Sequence, residues 1–253
     1  MTTTPARAAI AIFCMFLAHG LLLGAWVPHI ALAQQRLEAG PAVFGLALLS
    51  IAGGAVLAMP IAGVEINRFG SRNVTVLSGI AFACTVLLPM HAPTMALFIP
   101  AGLALGAAIG TMDVAMNTHG IAVEKELGRP IMSRLHGGFS LGGLFGAAAA
   151  ALLLPRIGPL THGLVAAAVA LAIIAACRPF LLPSQVDKGL SGTHFAWPTR
   201  ATIGLGLLCF LALMSEGAVL DWSTIYFRDK FTIDASTAGL SYAMFSGGMA
   251  ASR

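Results

Sequence analysis

Apolar residues occur in long blocks along the chain, and short polar connections separate these blocks. Most blocks have about the 20 residues that an α-helix needs to cross a bilayer. The pattern therefore predicts an all-α fold, a polytopic transmembrane bundle in which the last block is short for a crossing. The predicted spans are 9–33, 43–66, 73–90, 94–121, 136–155, 159–182, 201–227 and 236–253.

The composition excludes a water-soluble protein. Of the 253 residues, 58% are hydrophobic and only 9% are charged, whereas soluble domains carry about 25% charged residues. The lipid bilayer is therefore an expected partner. The sequence has no His-Glu-x-x-His motif, and we expect no enzymatic activity and no catalytic residues. Its four cysteines are scattered singly, so neither a metal site nor another cofactor is predicted.

Basic residues are distributed unequally between the two alternating sets of connections. The net charge of +4 therefore reports membrane topology rather than nucleic-acid binding, and no nucleic-acid partner is expected. The richer set predicts a cytoplasmic N-terminus and a multi-pass protein of the inner (plasma) membrane. The richer set is Arg7, Arg68, Arg72, Lys125, Arg129, Arg134, Arg178, Lys188 and Arg200; the poorer set is Arg36, Arg156, Arg228 and Lys230.

The chain contains an internal repeat. The segment 44–54 resembles 238–248 at a distance of 194 positions, and His19-Gly20…Trp26 resembles Glu216-Gly217…Trp222. Six crossings separate the copies, so both copies keep the same orientation in the membrane. Parallel repeats of six helices predict an N-terminal half over 1–182, a cytoplasmic connector over 183–200 and the start of a second half over 201–253.

The connection between the second and third spans resembles the loop signature of the major facilitator superfamily, Gly-x-x-x-Asp-Arg-x-Gly-Arg-Arg/Lys. Gly63, Arg68, Gly70 and Arg72 match it, whereas Asn67 replaces the aspartate. The resemblance implies the twelve-helix fold of that superfamily, with about four helices beyond residue 253, and a loop that latches the two halves. The alternative is an ordinary positively charged loop.

Asp113 and Asn117 stand inside an apolar run at helical spacing i and i+4, so they share one face. The segment 112–117 resembles the carboxylate-x-Ala-x-Asn segment of fucose-permease-like proton symporters, in which the first, fourth and seventh helices line a central cavity. That resemblance implies proton coupling by Asp113, Glu216 and His19, which lie near the middles of those helices, and solute binding by Asn117. Ordinary packing between helices is the alternative for each ionisable residue.

Trp26 and Trp222 lie toward the outer ends of the first and seventh spans. They are candidates for stacking on the solute, and the equal alternative is the aromatic belt of the membrane interface. Asp221 is predicted to pair with Arg228. Glycines over 137–146, together with Gly106 and Gly110, predict close helix crossings.

These features together predict a secondary active transporter of a small solute, most simply a sugar-like one, that is coupled to protons and is a monomer. A proton-driven drug or metabolite exporter of the same fold is one alternative. A non-transporting membrane scaffold or receptor is the other.

Overall fold

The computed structural model describes residues 4–184 and 199–253. The predicted connector over 183–200 therefore lies almost entirely outside the described residues. In the described ranges the chain is helical and contains no β-strand, which confirms the all-α fold class. The helices are α1 (Pro5–Arg36), α2 (Pro41–Phe69), α3 (Ser71–Thr85), α4 (Leu87–His91), α5 (Met95–Leu127), α6 (Met132–Cys177), α7 (Arg200–Phe231), α8 (Ala235–Ala238) and α9 (Leu240–Ser252).

Six of the described helical segments are long and apolar enough to cross a membrane, whereas the sequence predicts eight crossings. One of the two predicted crossings that this count lacks is contained in α6, which holds two predicted spans. Its backbone leaves the helical conformation at Gly158, where φ is 77° and ψ is 165°. This left-handed φ is open to glycine because glycine has no Cβ.

The contacts of α6 with α1 show that the chain reverses direction at this point. Before Gly158, positions 138 and 146 lie beside Phe13 and Leu21, so this part of α6 runs parallel to α1. After Gly158, His162 forms a hydrogen bond with His29, and the free thiol of Cys177 forms a hydrogen bond with that of Cys14. This part of α6 therefore runs antiparallel to α1. Residues 136–155 and 159–182 are therefore two crossings, as predicted.

The last predicted span, 236–253, is not one continuous helix. The short helix α8 is capped by Asp234, whose carboxylate accepts hydrogen bonds from Thr237 and Ser236. Those bonds lower the pKa of Asp234 to about 2, so the cap stays ionised in mild acid. The following helix α9 has 13 residues and is about 20 Å long, which is shorter than the ~30 Å of hydrocarbon.

Glycine contacts hold the long helices together in two pairs. In the pair of α2 and α5, a Cβ atom added at Gly54 would lie 2.9 Å from the Leu103 carbonyl carbon, and one at Gly106 would lie 2.7 Å from the Ile51 carbonyl carbon. In the pair of α1 and α6, a Cβ atom added at Gly20 would lie 2.9 Å from the Phe139 carbonyl carbon. The predicted close crossings are therefore contacts between backbones.

The C-terminal end of α7 is tied to the C-terminal end of α1 by Arg228. The Arg228 guanidinium donates 2.8 Å hydrogen bonds to the Ala31 carbonyl and the Gln34 side chain. It also pairs with the neighbouring Asp229 at 2.7 Å. The expected pair between Arg228 and Asp221 is therefore wrong: seven positions, about two helical turns or ~10 Å, separate the two residues along α7, and nearer acceptors satisfy Arg228.

Candidate functional site

A cavity of about 410 Å³ lies where α5 and the first half of α6 face α7 and α9. The internal repeat assigns α5 and α6 to one copy and α7 and α9 to the other, so the cavity lies between the two copies. Most of its wall is apolar, and five polar or ionisable side chains interrupt it. The lining residues are Asp113, Met116, His136, Phe139, Leu213, Glu216, Gly217, Leu220, Tyr242 and Arg253.

Asp113 is a half-buried carboxylate on the α5 wall of this cavity. Asn117 lies one turn further along α5, and its amide donates to Asp113 Oδ1 at 3.2 Å and to the Asp113 carbonyl at 2.9 Å. No lysine or arginine of the described residues forms an ion pair with Asp113. When the Asp113 carboxylate is ionised, it therefore accepts a hydrogen bond from the neutral Asn117 amide but has no cationic partner among the described residues.

Glu216 lies across the cavity on α7 and has a cationic neighbour. The guanidinium of Arg253 approaches the Glu216 carboxylate to 3.6 Å. The same guanidinium donates to the Ser140 hydroxyl at 2.8 Å and to the His136 carbonyl at 3.2 Å. Arg253 therefore joins α9, α6 and α7 at one side of the cavity. The two carboxylates of the site are in different electrostatic environments, one paired and one unpaired.

The sequence predictions did not include Tyr242 and Arg253 among the site residues. These two residues are eleven positions apart, which is about three helical turns, so they share a face of the last helix. The features of the sequence that could have identified them as site residues were this helical spacing and the presence of a cation at the end of an apolar run. His136 also lines the cavity, although its position near a helix end left its role open in the sequence.

His19 and Trp26 do not line this cavity. The His19 ring is 2% exposed and packs edge-on against Phe82 and Phe139, with ring centroids 5.1 and 5.6 Å away. Its Nδ1 has no hydrogen-bond partner within the described part of the chain. Trp26 is 1% exposed and lies in the main apolar core. The structure therefore surrounds both residues with protein rather than with open space.

Trp222 occupies a different place from Trp26, although the repeat makes them equivalent. It is half-buried on α7, and its ring covers Gly45 at the start of α2. It also lines a second, largely apolar pocket between α7 and the α8–α9 segment, together with Tyr226 and Met244. The two tryptophans therefore differ in burial: Trp26 is enclosed in the core, whereas Trp222 is partly exposed.

The predicted signature loop forms a sharp turn between α2 and α3. Gly70 has a φ of 83°, ends α2 and begins α3. Arg68 and Gly63 lie on the open side of the turn, and Asn67 is half-buried. Arg72 reaches across to the second half of α6, where it donates to the Arg178 carbonyl at 2.9 Å.

A buried histidine of α5 forms hydrogen bonds that hold this turn in place. His119 of α5 bonds the Ser71 hydroxyl through Nδ1 at 2.7 Å, and its Nε2 accepts from the Leu182 amide at 3.2 Å. The loop is therefore fastened to α5 and to the end of the sixth crossing. The role of His119 could not be predicted from the sequence, because an isolated histidine in an apolar run does not indicate which residues it bonds.

The described chain thus contains apolar helices long enough to span a bilayer and a cavity with two half-buried carboxylates between the two copies. The sequence profile of the Major Facilitator Superfamily matches residues 8–253, and the chain belongs to that superfamily. Members of this superfamily are transporters rather than enzymes.

Three relatives share this sequence over almost all of the chain. An uncharacterized MFS-type transporter of Yersinia pestis is 36% identical over 232 residues, which are 91% of this chain and 60% of that protein. The uncharacterized transporter y4wD of Sinorhizobium fredii is 33% identical, over 92% of this chain and 63% of that protein. The membrane protein MosC of Rhizobium meliloti is 32% identical, over 93% of this chain and 58% of that protein. The chain thus spans about three fifths of the length of these relatives.

Proposed function

We propose that this chain contains the substrate pathway of a proton-coupled secondary transporter, and that Asp113 is the residue that binds the coupled proton. The observation that carries the proposal is the unequal pairing of the two cavity carboxylates. Glu216 has the Arg253 guanidinium 3.6 Å away, whereas Asp113 has only the Asn117 amide. In a low-dielectric cavity an uncompensated charge is costly, so a change in solvent access alters the protonation of Asp113 most.

The division of roles follows from these contacts. Asp113 takes up a proton when the cavity faces the side of higher proton activity, and becomes neutral. The neutral site no longer opposes closure of the apolar walls around it. Asn117 is outside the cavity lining but is bonded to the Asp113 carboxylate, and we assign to the rest of its amide a hydrogen bond to a hydroxyl group of the solute. A polar, sugar-like solute fits a cavity that offers carboxylates, a phenol and a guanidinium.

The two units of the chain take different parts in this scheme. Residues 1–182 form the N-terminal half, residues 201–253 begin the second half, and 183–200 join them. Their relative rocking around the cavity would expose it alternately to the two sides of the membrane. We place the N-terminus in the cytoplasm, the protein in the inner membrane, and the working unit as a monomer, since one cavity is formed within a single chain.

Proton uptake upon addition of solute tests this proposal. The protein is reconstituted in liposomes that enclose a pH-sensitive dye, and a panel of hexoses, deoxyhexoses and polyols is added outside. We expect one chemical group of the panel to acidify the interior. Drug-like cations that accumulate in the vesicles in exchange for protons, when the interior is made acidic, would instead support an exporter. A protein that binds a panel member but moves neither solute nor protons would support a receptor.

Single-cysteine labelling tests the orientation of the chain in the membrane. Arg68 and Lys230 are exposed at opposite ends of the bundle, so a cysteine at either position is open to reagent. In a background without the four native cysteines, we expect an impermeant maleimide added to intact cells to label Arg68→Cys poorly and Lys230→Cys well. Gly70 is unsuitable, because any side chain there would meet Ser184. The reverse labelling would contradict a cytoplasmic N-terminus.

A further inference from the structure

A groove lies on the outside of the bundle, between the start of α1 and the end of α6, far from the central cavity. It encloses about 640 Å³ and is lined by Arg7, Ile10, Ala11, Ala176, Cys177 and Phe180. Five of these six residues are apolar or weakly polar. The floor is formed by the small alanine side chains, and the walls by Ile10 and Phe180, which are 67% and 45% exposed.

Arg7 stands at one end of this groove and has no partner among residues 4–184 and 199–253. Neither a hydrogen bond nor an ion pair joins its guanidinium to any of the described residues. The sequence explains this. In α1 and the residues before it no carboxylate occurs, and the first acidic residue of the chain is Glu38. Between Glu126 and Asp187 the chain has no acidic residue either, so α6 also supplies no counter-charge.

The groove lies at a depth where a phospholipid has both its phosphate and the top of its acyl chains. The helix α1 has 32 residues and is about 48 Å long, whereas the hydrocarbon layer is about 30 Å thick. With α1 centred in the layer, its first six residues or so lie in the headgroup region. Arg7 is then level with phosphates, and the apolar part of the groove lies in the hydrocarbon.

We propose that this groove binds one anionic phospholipid, with the headgroup phosphate on Arg7 and an acyl chain along Ala11 and Ala176. A guanidinium binds a phosphate through two parallel hydrogen bonds, and the exposed Arg7 is free to do so among the described residues. An acyl chain covers the apolar walls that the protein leaves open. The bound lipid bridges α1 and the end of α6, which line the groove together. The proposal is independent of the transported solute.

Lipid retention measured by native mass spectrometry tests the site. The purified 253-residue chain is exchanged into detergent with equal amounts of phosphatidylglycerol and phosphatidylcholine, and the lipids that stay bound are counted. We expect one phosphatidylglycerol molecule to remain in preference to phosphatidylcholine. Arg7→Gln should lower that preference about fivefold, as for the loss of one basic contact near a membrane surface.

Two further variants separate the groove from a general attraction between charges. Arg156→Gln removes an exposed arginine beside the Gly158 turn, at the end of the sixth crossing opposite to the groove, and should leave retention unchanged. Ala176→Trp keeps every charge but fills the groove, and should release the lipid as Arg7→Gln does. Equal retention by Arg7→Gln and Arg156→Gln would overturn the proposal, as would full retention by Ala176→Trp.

A competition experiment distinguishes a lipid site from a site for phosphate alone. Inorganic phosphate at millimolar concentration should not displace the lipid, because it cannot occupy the apolar part of the groove. Displacement by phosphate would show an anion site without a lipid. If Arg7→Gln does not fold, Arg7→Lys and Ala176→Trp decide the question: the first should retain the lipid and the second should lose it.

Discussion

Replacement of Asp113 by asparagine is expected to abolish proton-driven accumulation of solute in the full-length protein while leaving some equilibrative exchange. Asparagine keeps the size of the side chain and can still bond the Asn117 amide, which lies 3.2 Å from Asp113 Oδ1. It cannot take up or release a proton. The measurement compares uptake against a concentration gradient, with and without an imposed pH gradient, with exchange of labelled solute at equal concentrations.

Two matched variants give this result its meaning. Asn117→Ala should weaken solute binding by about 1 kcal/mol, the net contribution of a neutral hydrogen bond, without uncoupling protons from solute. Glu216→Gln should leave coupling in place, since its charge is already matched by Arg253 at 3.6 Å. If Asp113→Asn accumulates solute as well as the parent protein, Asp113 has a packing role and Glu216 becomes the coupling residue.

Replacement of Gly54 by alanine is expected to destabilise the bundle by about 1–3 kcal/mol, the usual cost of an oversized group in a packed core. The added methyl group would meet the Leu103 carbonyl and lie 3.0 Å from the Ala107 amide nitrogen. Both are backbone atoms of α5, so neither can rotate aside. The helices α2 and α5 would have to separate. Unfolding by sodium dodecyl sulfate in mixed micelles, followed by tryptophan fluorescence, measures the change.

Gly53 provides the control for this prediction. It is the neighbouring residue of the same helix, and the only atom within 4 Å of a Cβ added there is a side-chain carbon of Leu103 at 3.9 Å. Gly53→Ala makes the same change in helix propensity, which favours alanine by about 1 kcal/mol. It should therefore leave stability unchanged or raise it slightly. Equal effects of the two substitutions would mean that α2 and α5 are not in backbone contact at Gly54.

The helices themselves could be predicted from the sequence because their signal is local. An apolar block of sufficient length has to be a helix in hydrocarbon, since no water is present to bond its backbone. The division of α6 into two crossings was predicted from the short connection between the apolar blocks 136–155 and 159–182, and it coincides with Gly158, where the left-handed φ of 77° reverses the chain. The close helix crossings at glycines could also be predicted from the sequence, because a row of glycines on one helix face favours close contact with another helix.

The helix ends and the last span were less predictable. Helix α1 (Pro5–Arg36) extends beyond the predicted 9–33 at both ends, and α5 (Met95–Leu127) extends beyond the predicted 94–121 at its C-terminal end. Hydropathy ends where the hydrocarbon ends, but helical hydrogen bonding continues into the polar layer. The start of α8 depends on the cap at Asp234, a local interaction that an apolar count does not register.

The contents of the candidate site depended on tertiary structure. The sequence placed His19, Asp113 and Glu216 at similar depths on three helices, but depth does not determine rotation about the helix axis. The rotation is set by packing: the contact of Gly20 with Phe139 turns His19 toward Phe82 and away from the cavity. The same packing buries Trp26 completely while its repeat partner Trp222 stays half-buried.

The sequence by itself determined that this chain is a repeated membrane bundle with ionisable residues at mid-depth, because the cost of charges in lipid restricts where they can occur. The tertiary structure decided which of these residues meet. It brought Arg253 to Glu216, left Asp113 with an amide alone, and added Tyr242 and His136 to the same cavity. The cavity brings together residues as distant in the chain as Asp113 and Arg253 through shape complementarity between helices, and no local pattern in the chain encodes that proximity.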